Sequence, residues 1–196
     1  MPHRNIEFTQ GGYYHIYNRG ARRESIFRER DNYLFVLRQM KHYARELRIA
    51  VIAYCLMPNH YHLLVRQDGE QAAGLLPQRV FNSYSKAYNT RYELTGTLFE
   101  GRYQALCVNT DAHLTHLCRY IHANPVKHGF TQRADEWEFT NFAEWVGART
   151  GTLVDHIFVA GYFPAASAYR AFLDAYYTGA AQPVAGFEHC VLEDED

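Results

Sequence analysis

Two histidines separated by one bulky residue, His60-Tyr61-His62, are the first residues in this chain whose types and spacing suggest chemistry. In a β-strand alternate side chains share a face about 6–7 Å apart, so His60 and His62 would project together. Tyr61, Leu63 and Val65 would face the other way. Two imidazoles at that spacing can hold one divalent cation between them. Two protein ligands leave coordination positions for water, a third ligand or a substrate oxygen, which suits catalysis better than a closed structural site. Taken alone, the tripeptide reads better as two surface histidines at a strand end.

A second polar group changes the balance. His116, Tyr120 and Asn124 recur at steps of four, which on a helix makes a stripe beside the apolar one of Leu114, Leu117, Cys118 and Ile121. A phenol can act as a nucleophile, but with an ordinary pKa of about 10 it needs an activator. A nearby cation would serve, by polarising the target and favouring phenolate. Asn124, one turn on, could add an amide oxygen. His60, His62 and Asn124 would then form an open three-ligand site with Tyr120 beside it. The plainer alternatives are a half-buried tyrosine with a wet hydroxyl, an Asn that merely ends a helix before Pro125, and solvated His113 and His116.

The elements that must position these residues can be read from periodicity. Gly12 to Asn18 is aromatic-rich and reads as a strand ending at Arg19-Gly20. Asp31 to Leu47 reads as a helix capped by Asp31, with Tyr33, Leu34, Leu37, Met40 and Ala44 at helical spacing. Arg48 to Leu56 and His60 to Arg66 read as two strands joined by a Pro58-Asn59 turn. Leu76, Val80, Tyr84 and Tyr88 mark a second helix, and Gln104 to Val108 a fourth strand. A third helix runs from caps at Asn109-Thr110-Asp111 to about Ala123, where Asn124-Pro125 should stop it. The order β-α-β-β-α-β predicts an α+β fold: a ferredoxin-like antiparallel sheet with helices on one face. Ala165 to Tyr177 reads as one more helix, and Glu188 to Asp196 as an acidic tail.

Composition narrows the class. At 196 residues, 47% hydrophobic and 21% charged, the chain is globular and can bury a core. No apolar run approaches the roughly 18–20 residues needed to span a bilayer. Met1 to Asn5 has no apolar signal region, and Cys55, Cys107, Cys118 and Cys190 form no CxxC pair, so the expected setting is the reducing cytoplasm. The net charge of −1 hides an asymmetry. Up to Arg133 there are eighteen Lys and Arg against ten Asp and Glu, and beyond it two against eleven. A basic first two thirds is what a polyanionic partner requires.

Several ordered motifs together resemble one known family. His60-Tyr61-His62, preceded by Met57-Pro58-Asn59, is similar to the HUH motif of single-tyrosine transposases, where U is a bulky apolar residue. Tyr120-Ile121-His122-Ala123-Asn124-Pro125-Val126 resembles the tyrosine helix of the REP-associated branch of that family. Gly96 to Tyr103 resembles the loop before the fourth strand, and His15, Arg19-Gly20 and Ile26-Phe27 match the opening of the group. The resemblance covers roughly residues 11 to 147. It implies a transposase domain over 1–147 and a C-terminal extension over 148–196 with one helix and the acidic tail.

The resemblance further implies a DNA strand-transfer enzyme. Tyr120 would attack a phosphate of single-stranded DNA near hairpin repeats, leaving a 5′-phosphotyrosine link and a free 3′-OH. His60, His62 and Asn124 would hold Mg²⁺ or Mn²⁺, polarising the phosphate. Arg19, Arg22, Arg23, Lys86, Arg91 and Arg102 are candidates for phosphate contacts. Some related enzymes work as dimers, so a homodimer is one arrangement the resemblance allows; no membrane partner is implied. Tyr84 is the rival nucleophile, but its stripe with Leu76 and Val80 argues for packing. Two other functions compete: a non-catalytic ferredoxin-like module binding single strands by stacking, and a metallohydrolase using water.

Overall fold

The computed structural model describes residues 6–179; the acidic tail predicted over Glu188–Asp196 lies outside the described residues. Four strands form one antiparallel sheet: β1 (Tyr13–Arg19), β2 (Ile49–Met57), β3 (His60–Gln67) and β4 (Gln104–Val108). Their spatial order is β2-β3-β1-β4, the ferredoxin-like arrangement the element order predicts. Helix α1 (Arg30–Leu47) connects β1 to β2, and α2 (Leu75–Arg91) connects β3 to β4. Both cover one face, where Tyr33, Val36, Met40, Leu76, Val80 and Tyr84 meet Tyr61, Leu63 and Val65 of β3.

The opposite face is covered by α3 (Asp111–Lys127), which follows β4, and by α4 (Phe142–Trp145), α5 (His156–Tyr162) and α6 (Ala166–Tyr177). With helices on both faces, β2 and β3 are buried along almost their whole length. This accounts for their nearly continuous apolar composition. One irregularity interrupts β2. A bulge between Val51 and Ala53 adds Ile52, so Ile49 and Val51 face α1 and α2 before it, and Tyr54 and Leu56 after it. The Ile52 carbonyl accepts from Asn141 Nδ2 at 2.9 Å and Trp145 Nε1 at 3.1 Å.

Three boundaries differ from expectation. Helix α1 is capped by Glu29, not Asp31. Asn32, 4% exposed, turns its Oδ1 back onto the N–H groups of Arg28 and Glu29, at 2.9 and 3.3 Å, so the helix begins one residue earlier. Helix α3 starts as predicted, with Thr110 accepting from the His113 N–H at 3.2 Å, but it runs through Pro125 to Lys127. Burial of every residue from His116 to Pro125 outweighs the one backbone hydrogen bond that proline removes. Among the described residues the extension carries two helices, where one was expected. The added α5 starts at Asp155, whose carboxylate accepts from the Phe158 N–H at 3.0 Å. Among the described residues no helix is long and apolar enough to cross a membrane.

Candidate active site

The antiparallel register of β1 and β3 sets the site. Tyr17 lies opposite His62 and Arg19 opposite His60, so His15, Tyr17, His60 and His62 share the face covered by α3. The rings of His60 and His62 have centroids 5.2 Å apart and stand nearly perpendicular. Tyr120 reaches them from α3, its ring centre 5.4 Å from that of His62 and edge-on to it. The phenol and the imidazole pair, distant in sequence, therefore meet. Tyr120, His62 and Asn124 are all within 1% of full burial, and His60 is 5% exposed.

The ring nitrogens show what the site can bind. His60 Nδ1 lies 2.7 Å from Asn59 Oδ1; an acceptor there requires Nδ1 to carry the proton, which puts the lone pair of the neutral ring on Nε2. His62 Nδ1 lies 3.0 Å from His15 Nε2, and His62 Nε2 is buried with no hydrogen-bond partner. Asn124 Nδ2 donates to the Tyr120 carbonyl at 2.8 Å, which turns its Oδ1 away; that oxygen too is buried without a partner. A ligand set of two neutral imidazoles and an amide oxygen fits a divalent cation. Orphaned buried acceptors are what such an ion would satisfy. Among the described residues no group of three or more His, Cys, Asp or Glu gathers as a metal site.

Electrostatics keep His62 and His15 neutral. Burial drives the His62 pKa well below its ordinary value, with the neighbouring His15, His60, His128 and Lys127 adding to the effect. His15 is pushed down to about 3, mainly by burial and then by His113. Neutral imidazole is the ligating form. Lys127 Nζ lies over the Tyr120 ring at 5.7 Å from its centre, and His128 packs against His60 at 5.2 Å.

The rival tyrosine is a core residue. Tyr84 is 1% exposed on the other side of the sheet, and its hydroxyl donates to the Ile26 carbonyl. His116, expected in solvent, is 5% exposed because α6 covers it; its Nδ1 accepts from Arg119, whose guanidinium also stacks on Phe172. His113 is partly buried.

The six basic candidates divide. Arg19, Arg22 and Arg23 lie where β1 ends beside His60, and the turn is tied to the histidine hairpin by Gly20 N–H donating to the Asn59 carbonyl at 2.8 Å. Arg22 and Arg23 both have positive φ, near 56° and 59°, a conformation that costs non-glycine residues about 1 kcal/mol or more each. Arg102 is exposed on the loop whose Glu100 N–H bonds to the Arg19 carbonyl at 3.0 Å. Lys86 and Arg91 are on α2, across the sheet from Tyr120, and Arg91 is paired with Glu29 at 2.6 Å. Sequence reasoning gave no role to Asn59, Lys127 or His128. Their place within one or two residues of the histidine hairpin or the end of α3 was the available signal.

Known proteins share this architecture. The profile of the IS200-like transposases matches residues 9–124. A REP-associated tyrosine transposase of Haemophilus influenzae is 26% identical over 106 residues, 46% of this chain and 57% of that protein. The match thus spans little more than half of that relative. A REP-associated tyrosine transposase solved bound to a REP hairpin superposes with a TM-score of 0.62, over 79% of this chain and 94% of that one. At 18% identity, that likeness is one of fold. A transposase structure from Deinococcus radiodurans covers 62% of this chain with 12% identity and a TM-score of 0.42, too low to carry weight.

Proposed function

The chain belongs to the IS200-like transposase family, and on that premise we propose that it cleaves and rejoins single-stranded DNA beside hairpin repeats with Tyr120 as nucleophile. The observation that carries this reading is the meeting of Tyr120 with His62, 5.4 Å apart, where His62 presents a buried Nε2 without a partner. The Tyr120 oxygen forms a bond to phosphorus as the P–O3′ bond breaks. The phenol proton ends on the departing 3′-oxygen, leaving a 5′-phosphotyrosine and a free 3′-OH. The covalent link conserves the bond for rejoining, so no nucleotide cofactor is consumed.

His60, His62 and Asn124 would hold Mg²⁺ or Mn²⁺, which when bound would polarise the scissile phosphate and offset its developing charge. Because all three ligands are neutral, no protein carboxylate competes with the phosphate. Arg19, Arg22 and Arg23 lie beside the turn of the histidine hairpin, with Arg102 on the loop bonded to Arg19, and these four would contact the DNA backbone. Hairpin DNA is the substrate class favoured by the relative solved with a REP hairpin.

The test is a denaturing gel of the protein with labelled single-stranded hairpin DNA and Mn²⁺. A covalent adduct is expected from the native chain and none from Tyr120→Phe, with DNA affinity retained. A binding module forms no adduct with either. A water-using hydrolase cuts without one.

A further inference from the structure

His15 belongs to the histidine cluster, yet the proposed reaction gives it no role. It is fully buried, it stacks on His62 with ring centres 5.2 Å apart, and its Nε2 lies 3.0 Å from His62 Nδ1. The far nitrogens of the pair, His15 Nδ1 and His62 Nε2, have no hydrogen-bond partner. Two neutral rings share one hydrogen between them, so two arrangements exist. If His15 donates, His62 carries its lone pair on Nδ1, and its Nε2 becomes a buried N–H with nothing to receive it. If His62 donates, its Nε2 keeps a lone pair that a cation can take, and the N–H without an acceptor falls instead on His15 Nδ1; a bound cation therefore selects this second arrangement.

We propose that His15 is a positioning residue that accepts the Nδ1–H of His62 and so aims the Nε2 lone pair of His62 at a divalent cation. The inference rests on the cation-dependent reading above. Ligating histidines usually send their second nitrogen to a carboxylate or a carbonyl. An imidazole in that place fixes the tautomer and the ring plane without adding negative charge, which keeps the ligand set neutral. Tyr17, at 4.9 Å from His15 and 5.8 Å from His62, packs beside the pair. A purely structural His15 would merely fill the space between Tyr17, His62 and Tyr120.

The experiment is a titration of the DNA-free chain with Mn²⁺ alone, following loss of the free-ion electron paramagnetic resonance signal, beside thermal melts without metal. His15→Phe fills the same space but cannot accept; it is expected to weaken Mn²⁺ binding about ten- to a hundredfold. His15→Gln, whose amide oxygen reaches the Nε2 position, should recover most of that loss. Equal Mn²⁺ affinity for His15→Phe and the native chain overturns the proposal. Native chain that takes up no Mn²⁺, or none sensitive to His62→Ala, overturns the cation reading itself and this inference with it. Should His15→Phe not fold, ¹⁵N imidazole shifts of the native chain with Mg²⁺ decide: Nδ1–H on His62 is expected, and Nε2–H overturns the proposal.

Discussion

The hydroxyl of Tyr169 on α6 hydrogen-bonds His122 Nδ1, two residues beyond Tyr120 on α3. The other ring nitrogen, Nε2, lies 2.9 Å from Asn141 Oδ1, which also accepts from the Tyr54 N–H at 2.9 Å. An acceptor on that side makes Nε2 the donor, so Nδ1 receives the Tyr169 proton. Asn141 Nδ2 completes the network on the carbonyls of Ile52 and Leu153. The extension is thereby tied to the helix that carries Tyr120, the proposed nucleophile, and to the β2 bulge. Tyr169→Phe strands a buried acceptor and should cost about 1–3 kcal/mol in urea unfolding. It should also lower adduct formation more than hairpin affinity.

Lys127 is placed over the ring of a buried Tyr120. In the proposed reaction a phosphate that reaches Tyr120 would come close to this ammonium, which could pair with it. Lys127→Met is expected to slow adduct formation about tenfold, the equivalent of roughly 1.4 kcal/mol of barrier. Single-turnover cleavage rates would show it. An unchanged rate would remove Lys127 from the site.

The sheet separates the basic residues into two groups with different expected effects. Arg22→Ala with Arg23→Ala should weaken hairpin binding and flatten its salt dependence, by a slope of about 0.7 for each phosphate no longer neutralised. Lys86→Ala with Arg91→Ala should leave both nearly unchanged, since these residues lie on the α2 side. Fluorescence anisotropy across a salt series measures the two outcomes together.

Buried histidines predict the direction of acid sensitivity. Burial lowers the pKa of His122 to about 4, opposed in part by its hydrogen bond to Asn141. Burial also takes His116 to about 4, helped by Arg119 and His113. The unfolded chain takes up these protons as pH falls through about 6.5, and the folded chain does not until about 4. Within that window the unfolded state binds more protons, so stability falls as pH falls and is insensitive to these groups above it. For His122 alone the loss is on the order of 3 kcal/mol by pH 4. Urea midpoints should decline from neutral pH toward about 4.5, and less steeply in His122→Gln.

Much of this was legible in the residues. Aromatic-rich and apolar runs bounded by turn residues located all four strands, and the order of elements implied the sheet topology that the structure shows. The meeting of Tyr120 with His60 and His62 was foreseeable from residue types at strand and helix spacing. What periodicity could not show was tertiary burial. The stripe of His116, Tyr120 and Asn124 looks like a solvated face until His15 and His62 on the sheet meet Tyr120 and Tyr176 on α6 meets His116. Pro125 looks like a stop until packing on both sides holds the helix past it. The pairing of His15 with His62 depends on the register between β1 and β3, which neither strand specifies alone.

The extra residue in β2 makes that strand sensitive to length as well as to composition. Removing Ile52 would restore regular alternation and leave every other side chain of the strand on its present face, since Val51 already lies opposite Val65 and Ala53 opposite Leu64. What would go is the carbonyl that receives Asn141 Nδ2 and Trp145 Nε1. Relatives with a shorter β2 should therefore carry a compensating change in the segment around Asn141.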